Sequence, residues 1–378
     1  MKIAVFSGKI QSTLCQCPRN QFPYNEVYSF DRDEAALQLL HRKAPAVHTQ
    51  VADLTNYSSY PSLLEEVELV VTAVPGFMGY RVLEAVINCG KPVVDISFFP
   101  EDALQLDALA KSRGVTVVTD CGVAPGMGNL ILGRYNEEMK VNRFECYVGG
   151  LPQIRKKPFE YKAPFSPVDV IEEYTRPARQ MENGRIVTKP ALSDRSLMNF
   201  DGIGTLEAFN TDGLRSLLYT MAHIPDLKEQ TLRYPGHIDL IQALQLAGFF
   251  SEEKMEIAGQ LIRPLDFSSA LLFRQWKLGE EEAEFTVMRV IVEGEKQNKP
   301  MRVEYNLLDQ YDPVTKTSSM SRTTGYTCTA VAELVATGQF TEKGVFPPEW
   351  VGRHPVCFEF ILRYLTNRGV NWKAIINH

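Results

Sequence analysis

The chain has 378 residues, with 40 Lys and Arg against 46 Asp and Glu, so its formal charge is −6. This length fits two domains or one large one, and a hydrophobic content of 44% excludes a disordered chain. The acidic balance argues against nucleic acid as a partner. No run approaches the ~20 apolar residues of a membrane helix, and the N-terminus lacks a signal-peptide pattern. We therefore expect a cytoplasmic protein with no nucleic-acid or membrane partner.

The seven cysteines are an odd number, and they are scattered along a large chain. This spacing argues against a secreted disulfide framework and indicates reduced thiols. Cys15 and Cys17 form a lone C-x-C without a second cluster. We therefore expect no metal site.

Short apolar runs alternate with helical patterns in the first third of the chain. The runs lie at Lys2–Phe6, Glu26–Phe30, Val67–Val74, Val93–Ser97 and Val115–Thr119. The helical patterns lie at Asp33–Lys43, Met78–Cys89 and Glu101–Arg113. This alternation predicts an α/β domain with a Rossmann-type, doubly wound parallel sheet. Ligands of such sheets bind at the carboxyl ends of the strands.

Asp31 ends the second predicted strand. An acid at this position of a dinucleotide-binding sheet accepts hydrogen bonds from the adenosine ribose, and its charge favours NAD over NADP. Arg32 could reverse that preference. The alternative is that Asp31 only caps the helix predicted at Asp33–Lys43.

The segment after the first strand, Ser7–Thr13, carries no G-x-G-x-x-G fingerprint. Only Gly8 remains of its glycines, and Pro18 interrupts the expected crossover helix. Two interpretations stay open. Lys9 supplies a cation in place of the glycine loop, or the site no longer holds a dinucleotide.

Strands and helices mix without strict alternation after Gly122, which predicts an α+β domain. Predicted strands are Asn142–Gly150, Arg185–Thr188, Phe285–Glu293 and Met301–Leu308. Predicted helices are Asp169–Glu173, Thr211–Met221, His237–Ala247 and Glu252–Ile262, followed near the C-terminus by Cys328–Thr337 and Val356–Asn367.

Four sequence motifs occur in order through this second part of the chain. They are DCGVAPGMGN from Asp120, GGLP from Gly149 with FEYKAPFS from Phe159, AFNTDGLR from Ala208, and TLRYPGH from Thr231. Together they resemble the saccharopine dehydrogenase family and, within it, the lysine 6-dehydrogenases. The likeness runs from about residue 26 to the C-terminus.

The resemblance implies a Rossmann domain at residues 1–123. It implies an inserted α+β domain for substrate and dimer contacts at 124–324, and C-terminal helices that return to the first domain at 325–378. It also implies a homodimer and the NAD-dependent oxidation of the ε-amine carbon of L-lysine, with NADP as an alternative cofactor. The imine formed hydrolyses to the semialdehyde, which cyclises to piperideine-6-carboxylate.

The residue at the position of Thr211 differs between members of this family. Saccharopine reductases carry an arginine at the matching position, where it binds a substrate carboxylate, and an acid where this chain has Ala124. Threonine cannot replace an arginine clamp. The chain therefore resembles enzymes whose small amino-acid substrate has one carboxylate.

Further candidates for the cofactor site lie after later strands. Thr72, Pro75 and Gly76 close the Val67–Val74 run, where the nicotinamide half is expected; a simple strand-to-helix turn is the alternative. Cys121 is interpreted as lining the nicotinamide pocket or as core packing.

Three residues are candidates for catalysis. Asp95 is an acid inside an apolar run and could bind or deprotonate the substrate amine, or be a structural acid. His237 could shuttle a proton, or be a satisfied structural histidine. Lys162 could act in proton transfer or bind a carboxylate, or be solvated.

Substrate-binding candidates share the same motifs. Tyr161 lies in a proline-rich loop of the kind that shapes pockets, and Phe165 could provide an apolar wall for the lysine methylenes. Arg233 is the preferred anchor for the α-carboxylate.

Two alternatives to a lysine dehydrogenase stay open. One is a dehydrogenase or reductase of the same fold with another opine or amino acid as substrate. The other is a non-catalytic dimeric protein that has lost dinucleotide binding. The rewritten Ser7–Thr13 segment favours the latter, and the presence of Asp31, Asp95 and the later motifs favours an enzyme.

Overall fold

The computed structural model of the chain describes residues 1–7, 26–163, 167–279 and 281–377. The chain divides into two compact units. Unit 1 comprises Met1–Glu138 and Ser321–Val370, and unit 2 comprises Met139–Met320 and Asn371–His378. The boundaries differ from the expected ones because the helix after Gly126 belongs to unit 1 and because the last strand joins the sheet of unit 2.

Unit 1 contains a seven-stranded sheet whose neighbouring strands are all parallel. Its strands are β1 (Lys2–Ser7), β2 (Glu26–Asp31), β3 (His48–Val51), β4 (Leu69–Ala73), β5 (Val93–Asp95), β6 (Thr116–Val118) and β17 (Gly344–Phe346). Their order across the sheet is β17-β6-β5-β4-β1-β2-β3. The predicted parallel sheet is therefore confirmed, and its strand order reverses between β1 and β4.

Helices surround this sheet and build its core. They are α1 (Glu34–Lys43), α2 (Tyr60–Leu63), α3 (Gly76–Asn88), α4 (Asp107–Arg113), α5 (Met127–Asn136), α10 (Ser319–Ala336), α11 (Pro348–Gly352) and α12 (Pro355–Thr366), with 3-10 turns at Tyr57–Ser59 and Ala103–Leu106. Phe6, Tyr60, Leu83 and Val93 are fully buried in this core. The valines of β4 are buried, as expected for a strand covered on both faces.

Unit 2 is built on a mixed nine-stranded sheet. Its strands are β7 (Lys140–Pro152), β8 (Ala178–Glu182), β9 (Arg185–Lys189), β10 (Ser196–Phe200), β11 (Gly204–Asn210), β12 (Asp226–Arg233), β15 (Glu284–Lys296), β16 (Lys299–Gln310) and β18 (Trp372–Asn377). The main path runs β10-β11-β12-β7-β15-β16-β18, and β8 pairs with β12 and β9. Among these pairs only β12 and β7 run parallel.

The remaining elements of unit 2 are α6 (Pro167–Thr175), α7 (Leu217–Thr220), α8 (His237–Leu246), the hairpin β13 (Met255–Ile257) and β14 (Gln260–Ile262), and α9 (Pro264–Trp276). The helix predicted at Glu252–Ile262 is wrong. Ala258 and Gly259 have φ values of 52° and 78°, which form a two-residue hairpin turn that a right-handed helix cannot contain. The helix predicted at Thr211–Met221 shortens to α7.

Candidate functional site

The carboxyl ends of β2, β4, β5 and β6 carry predicted cofactor residues and the catalytic candidate Asp95. Asp31, Thr72 and Asp95 occupy the ends of the first three strands, and Cys121 follows β6. Because all four strands are parallel, these ends lie on one edge of the sheet, called here the carboxyl edge. Gly8 and Lys9 lie outside the described residues, so their predicted roles stay predictions.

Asp31 does not cap the first helix. Its Oδ1 accepts a hydrogen bond from the backbone N–H of Asp33 at 2.9 Å, and the Asp33 side chain caps α1 by accepting from Ala36 N at 3.1 Å. A carboxylate accepts about four hydrogen bonds, so Asp31 retains capacity for ribose hydroxyls. Burial raises the pKa of Asp31, and the Asp33 N–H opposes that rise.

Asp95 ties two strand ends together. Thr72 Oγ1 donates to Asp95 Oδ1 at 2.6 Å, Ser97 N donates to Asp95 Oδ2 at 3.0 Å, and Val74 N donates to Ser97 Oγ at 3.1 Å. Burial raises the pKa of Asp95 to about 7, and the bonds from Thr72 and Ser97 oppose that rise. Both Asp95 and Thr72 are fully buried. This geometry suits residues that position the loops of the carboxyl edge better than residues that contact a substrate.

The turn after β4 brings helix α3 close to the next loop. A Cβ on Gly76 would lie 2.2 Å from the Phe98 carbonyl oxygen, so only glycine fits there. Pro75 is exposed, and Phe77 in the first turn of α3 is 80% exposed.

Cys121 is fully buried, and its Sγ contacts the Thr119 carbonyl oxygen at 3.5 Å. Burial raises the pKa of this thiol well above its ordinary value. The thiol is therefore not a nucleophile in this environment. Its surroundings favour core packing at the end of β6.

In unit 2, His237 and Arg233 are joined through one tyrosine hydroxyl. Arg233 Nε donates to Tyr174 Oη at 2.9 Å, and His237 Nε2 lies 2.9 Å from the same oxygen. His237 Nδ1 lies 2.9 Å from the Phe159 carbonyl oxygen, which can only accept. The proton of His237 is therefore on Nδ1, and Tyr174 donates its own proton to Nε2.

His237 is held neutral in this cluster. It is 2% exposed and lies beside the Trp276 ring, with a centroid separation of 6.2 Å. Burial and, to a smaller extent, the nearby Arg233 charge together lower the pKa of His237 to about 3. Both ring nitrogens already have partners, which favours the structural alternative over the predicted proton shuttle.

Arg233 is surrounded by acceptors within unit 2. Besides Tyr174, it donates to the Leu232 carbonyl oxygen at 3.0 Å, to Glu173 at 3.2 Å and to Tyr161 Oη at 3.4 Å. Its guanidinium also stacks 4.4 Å from the Tyr161 ring centroid. Because Arg233 is 2% exposed, a substrate carboxylate would have to displace Glu173 to reach it. Tyr174, Glu173 and Trp276 belong to this cluster and were missed by the sequence prediction.

Thr211 is buried, and its hydroxyl is hydrogen-bonded to two side chains of β12. Its Oγ1 donates to Glu229 Oε2 at 2.7 Å and lies 2.8 Å from Thr231 Oγ1. Next to it, Asp212 receives a bidentate ion pair from Arg179 at 3.0 and 2.8 Å. The sequence prediction missed Glu229, because the sequence does not show that β12 carries it to the end of β11.

Lys162 is more accessible than the other two catalytic candidates. Its side chain is 19% exposed, and its Nζ donates to the Lys277 carbonyl oxygen at 3.2 Å and lies 3.4 Å from Glu282. The neighbouring Tyr161 is buried, and its pKa is raised by that burial. Phe165 lies outside the described residues.

Candidate metal clusters and membrane-spanning helices are both absent from the described part of the chain. In residues 1–7, 26–163, 167–279 and 281–377, no group of three or more His, Cys, Asp or Glu side chains is placed to hold a metal. No helix of those residues combines the length and apolar character needed to cross a bilayer.

The strand order β3-β2-β1-β4-β5-β6, with an acid at the end of β2, is that of the dinucleotide-binding class of folds. Family models extend this assignment. Residues 8–118 match the saccharopine dehydrogenase NADP binding domain, and residues 122–370 match the saccharopine dehydrogenase C-terminal domain. The chain belongs to the saccharopine dehydrogenase family.

Individual relatives are distant. The chain is 27% identical to a saccharopine dehydrogenase (NADP+, L-glutamate-forming) of Pyricularia oryzae, over 52% of this chain and 46% of that protein. It is 24% identical to an alpha-aminoadipic semialdehyde synthase of Arabidopsis thaliana, over 56% of this chain but 21% of that protein. The chain thus spans about half or less of these relatives.

Two matches cover most of both chains. A carboxyaminopropylagmatine dehydrogenase of Synechocystis is 22% identical over 89% of this chain and 87% of that protein. The structure of a saccharopine dehydrogenase (L-Glu forming) of Saccharomyces cerevisiae superposes with a TM-score of 0.82, covering 100% of both chains at 18% identity. At this identity the structural match establishes the fold.

Proposed function

We propose that the chain is a nicotinamide-dependent oxidoreductase that acts on a carbon bonded to an amine nitrogen, with L-lysine as substrate and NAD as cofactor. The observation that carries the proposal is Asp31, a carboxylate at the end of β2 that caps no helix. A carboxylate there accepts from both ribose hydroxyls and repels a 2′-phosphate. The family model named for NADP supports a dinucleotide of either kind.

The described residues of the carboxyl edge fit such a cofactor. Asp95 holds the ends of β4 and β5 through Thr72 and Ser97, and this fixes the loop that contains Pro75 and Gly76. When bound, the nicotinamide ring accepts or returns the hydride. The residues of this edge bind and orient it, since hydride transfer depends on the alignment of the two carbons.

The substrate amine must lose a proton before its carbon can give up hydride, because its solution pKa is ~10.4. Of the three candidate catalytic side chains, Asp95 and His237 are almost completely buried and already hydrogen-bonded. Lys162 is the accessible one. We therefore assign the proton-transfer role to Lys162, and positioning roles to Asp95 and His237.

A second substrate has a specific observation in its favour. The Synechocystis relative covers 89% of this chain, whereas the saccharopine dehydrogenase relative from Pyricularia covers 52%. A carboxyaminopropyl-substituted agmatine is therefore the alternative substrate. Its oxidation also acts on a carbon next to an amine nitrogen.

The test measures absorbance of reduced nicotinamide with purified full-length protein. NAD is supplied with L-lysine, saccharopine or carboxyaminopropylagmatine in parallel, and NADP replaces NAD in a second series. The proposal expects reduced cofactor to accumulate with L-lysine and NAD. Turnover of carboxyaminopropylagmatine alone would select the second substrate, and turnover of saccharopine alone would contradict both. Without turnover and without NADH binding, the non-catalytic alternative stands.

A further inference from the structure

One short stretch of unit 2 carries a large share of the exposed apolar side chains. Of the twenty large apolar side chains that are exposed in the described part of the chain, seven lie between residues 246 and 271. Their exposed fractions range from 44% to 90%. This set, called here the apolar surface, consists of Leu246, Phe249, Met255, Ile257, Leu261, Phe267 and Leu271.

The hairpin of β13 and β14 has no covering layer within the described chain. Its two strands pair with each other in a sheet of their own, and none of their residues is buried. Met255 and Ile257 lie on one face of the hairpin, and Leu261 lies on the other. An isolated two-stranded hairpin is marginally stable in water unless a further layer packs on it. The hairpin therefore calls for a covering partner.

Helix α9 carries a second apolar stripe beside the one that it buries. Its buried side chains Ser268, Leu272 and Trp276 are spaced four residues apart and lie on one face. Phe267 and Leu271 are also four residues apart, and both are exposed. A helix that is covered on one side normally carries polar residues on the other. The second stripe is typical of a helix that is packed on two sides.

The end of α8, the hairpin and the start of α9 adjoin one another. The backbone N–H of Leu265, in the first turn of α9, donates to the Ser251 carbonyl oxygen in the loop after α8 at 3.0 Å. Lys254, which precedes β13, lies within electrostatic reach of Asp266 in α9. The side chains of the apolar surface therefore form one patch, where scattered single residues would need no explanation.

The area of this patch is that of a dimer interface. The seven exposed fractions correspond to about four fully exposed side chains, or roughly 700 Å² of apolar surface. The largest apolar patch of a typical monomer is about 300–600 Å². A stable interface buries about 800 Å² on each partner, its polar rim included.

The charges at the edge of the patch are of both signs. Lys254 lies beside Glu253 and Glu256 in the sequence, and all three side chains are exposed. In a twofold-symmetric contact the same patch faces itself, so it must supply both members of every charge pair. An apolar centre with a rim of mixed charge meets that requirement.

We propose that the apolar surface is the interface through which two copies of this chain associate about a twofold axis. The two hairpins then cover each other, and the second stripe of α9 packs against the partner copy. This inference does not depend on the proposed function, since it rests on the exposed face of unit 2 alone.

Association through this face also steadies the buried cluster around Arg233. Helix α8 begins at His237 and helix α9 ends at Trp276, and the rings of these two residues lie 6.2 Å apart. The helices that bring the cluster together are thus the helices that border the interface. Because a dimer is favoured by mass action, its resistance to urea should rise with protein concentration.

The experiment is sedimentation velocity of the full-length protein from nanomolar to tens of micromolar concentration. Leu261→Glu and Phe267→Glu place a charge on the hairpin and on α9, and each charge occurs twice in a symmetric contact. Val356→Glu is the matched control, because Val356, like Phe267, is an exposed apolar residue near the start of a helix that begins with proline. Ile375→Glu tests the exposed edge strand β18 as a rival interface.

We expect the unmodified protein and the variants Val356→Glu and Ile375→Glu to sediment with twice the chain mass at micromolar concentration. Leu261→Glu and Phe267→Glu should associate about a hundredfold more weakly, because each buries an uncompensated charge in an apolar contact. Their circular dichroism spectra should match that of the unmodified protein. In hydrogen exchange, the amides of β13 and β14 of the unmodified protein should be better protected at high concentration than at low concentration.

Three results would overturn the inference. The unmodified protein stays monomeric at tens of micromolar, Leu261→Glu and Phe267→Glu associate as tightly as Val356→Glu, or Ile375→Glu alone abolishes association. If either charged variant fails to fold, hydrogen exchange of the unmodified protein decides. A hairpin whose protection is the same in the associated and dissociated protein would place the interface elsewhere.

Discussion

The carboxyl edge of unit 1 and the buried cluster around Arg233 in unit 2 are built in different ways. At the carboxyl edge, acids bind backbone N–H groups and hydroxyls at the ends of adjacent strands, as Asp31 and Asp95 do. Around Arg233, side chains from α6, α8 and two loops meet from positions about 60 to 80 residues apart. The first arrangement is set by strand order, and the second depends on long-range packing.

Removing Arg233 should have the largest effect on the free energy of unfolding. The substitution breaks the buried cluster of unit 2 and does not touch the carboxyl edge of unit 1. Arg233→Ala removes the ion pair to Glu173 and the donor to the Tyr174 hydroxyl in a buried cluster, and we expect the free energy of unfolding to fall by about 3–5 kcal/mol. Urea unfolding measures this loss. Arg263→Ala, which breaks an ion pair with Asp266 that is exposed on both sides, is the control and should cost far less. Equal losses in the two variants would contradict the account of this cluster.

His237 should make unit 2 sensitive to acid. Its pKa is about 3 in the folded chain and about 6.5 when unfolded, so its neutral form stabilises the fold above pH 6.5. This stability is lost as the pH falls from 6.5 toward 3, at about 1.4 kcal/mol per pH unit. We expect a loss of about 2 kcal/mol between pH 6.5 and 4.5 in the unmodified protein relative to His237→Gln. If the free energies of unfolding of the two proteins changed equally with pH, this prediction would be wrong.

Asp95 should give unit 1 the opposite dependence. Its folded pKa of about 7 lies above its unfolded value of about 3.9, so its contribution is fully present below pH 4 and is lost as the pH rises to 7. Relative to Asp95→Asn, the unmodified protein should lose about 2 kcal/mol between pH 5 and 7. Urea unfolding at several pH values measures this loss. If the unmodified protein instead gained stability relative to Asp95→Asn as the pH rises from 5 to 7, the account of the buried network would be wrong.

Asp31 should affect cofactor choice with little effect on folding. Asp31→Ser removes the acceptor for the ribose hydroxyls and the charge that repels a 2′-phosphate, so NADH should bind about tenfold more weakly and NADPH should bind more tightly. Asp33→Ser keeps a side chain able to cap α1 and serves as the control. An unchanged ratio of the two affinities in Asp31→Ser would remove Asp31 from the cofactor site.

The sequence predicts the carboxyl edge well for a physical reason. Its elements are marked by local patterns: the valine-rich run of β4, the helix that ends before Gly114 and the acid at the end of β2. Parallel pairing then brings the carboxyl ends of the strands to one edge of the sheet. Gly114 indeed adopts a left-handed φ of 66° at the end of α4. The acceptors of His237 are not local patterns. No periodicity shows that Tyr174 and the Phe159 carbonyl oxygen would occupy both of its nitrogens.

The hairpin at β13 and β14 was missed for a related reason. Its apolar residues Met255, Ile257 and Leu261 are spaced in a way that a helix also allows, and only the left-handed conformation of Ala258 decides between the two. Likewise, the position of Glu229 depends on the register between β11 and β12, which the sequence does not encode in any short pattern.

Calorimetric titration of the full-length protein with NADH tests the central claim most directly, because both the carboxyl edge and the proposed function depend on a bound dinucleotide. We predict one site per chain that binds NADH more tightly than NADPH. Absence of binding at millimolar NADH would contradict the account and leave the non-catalytic alternative.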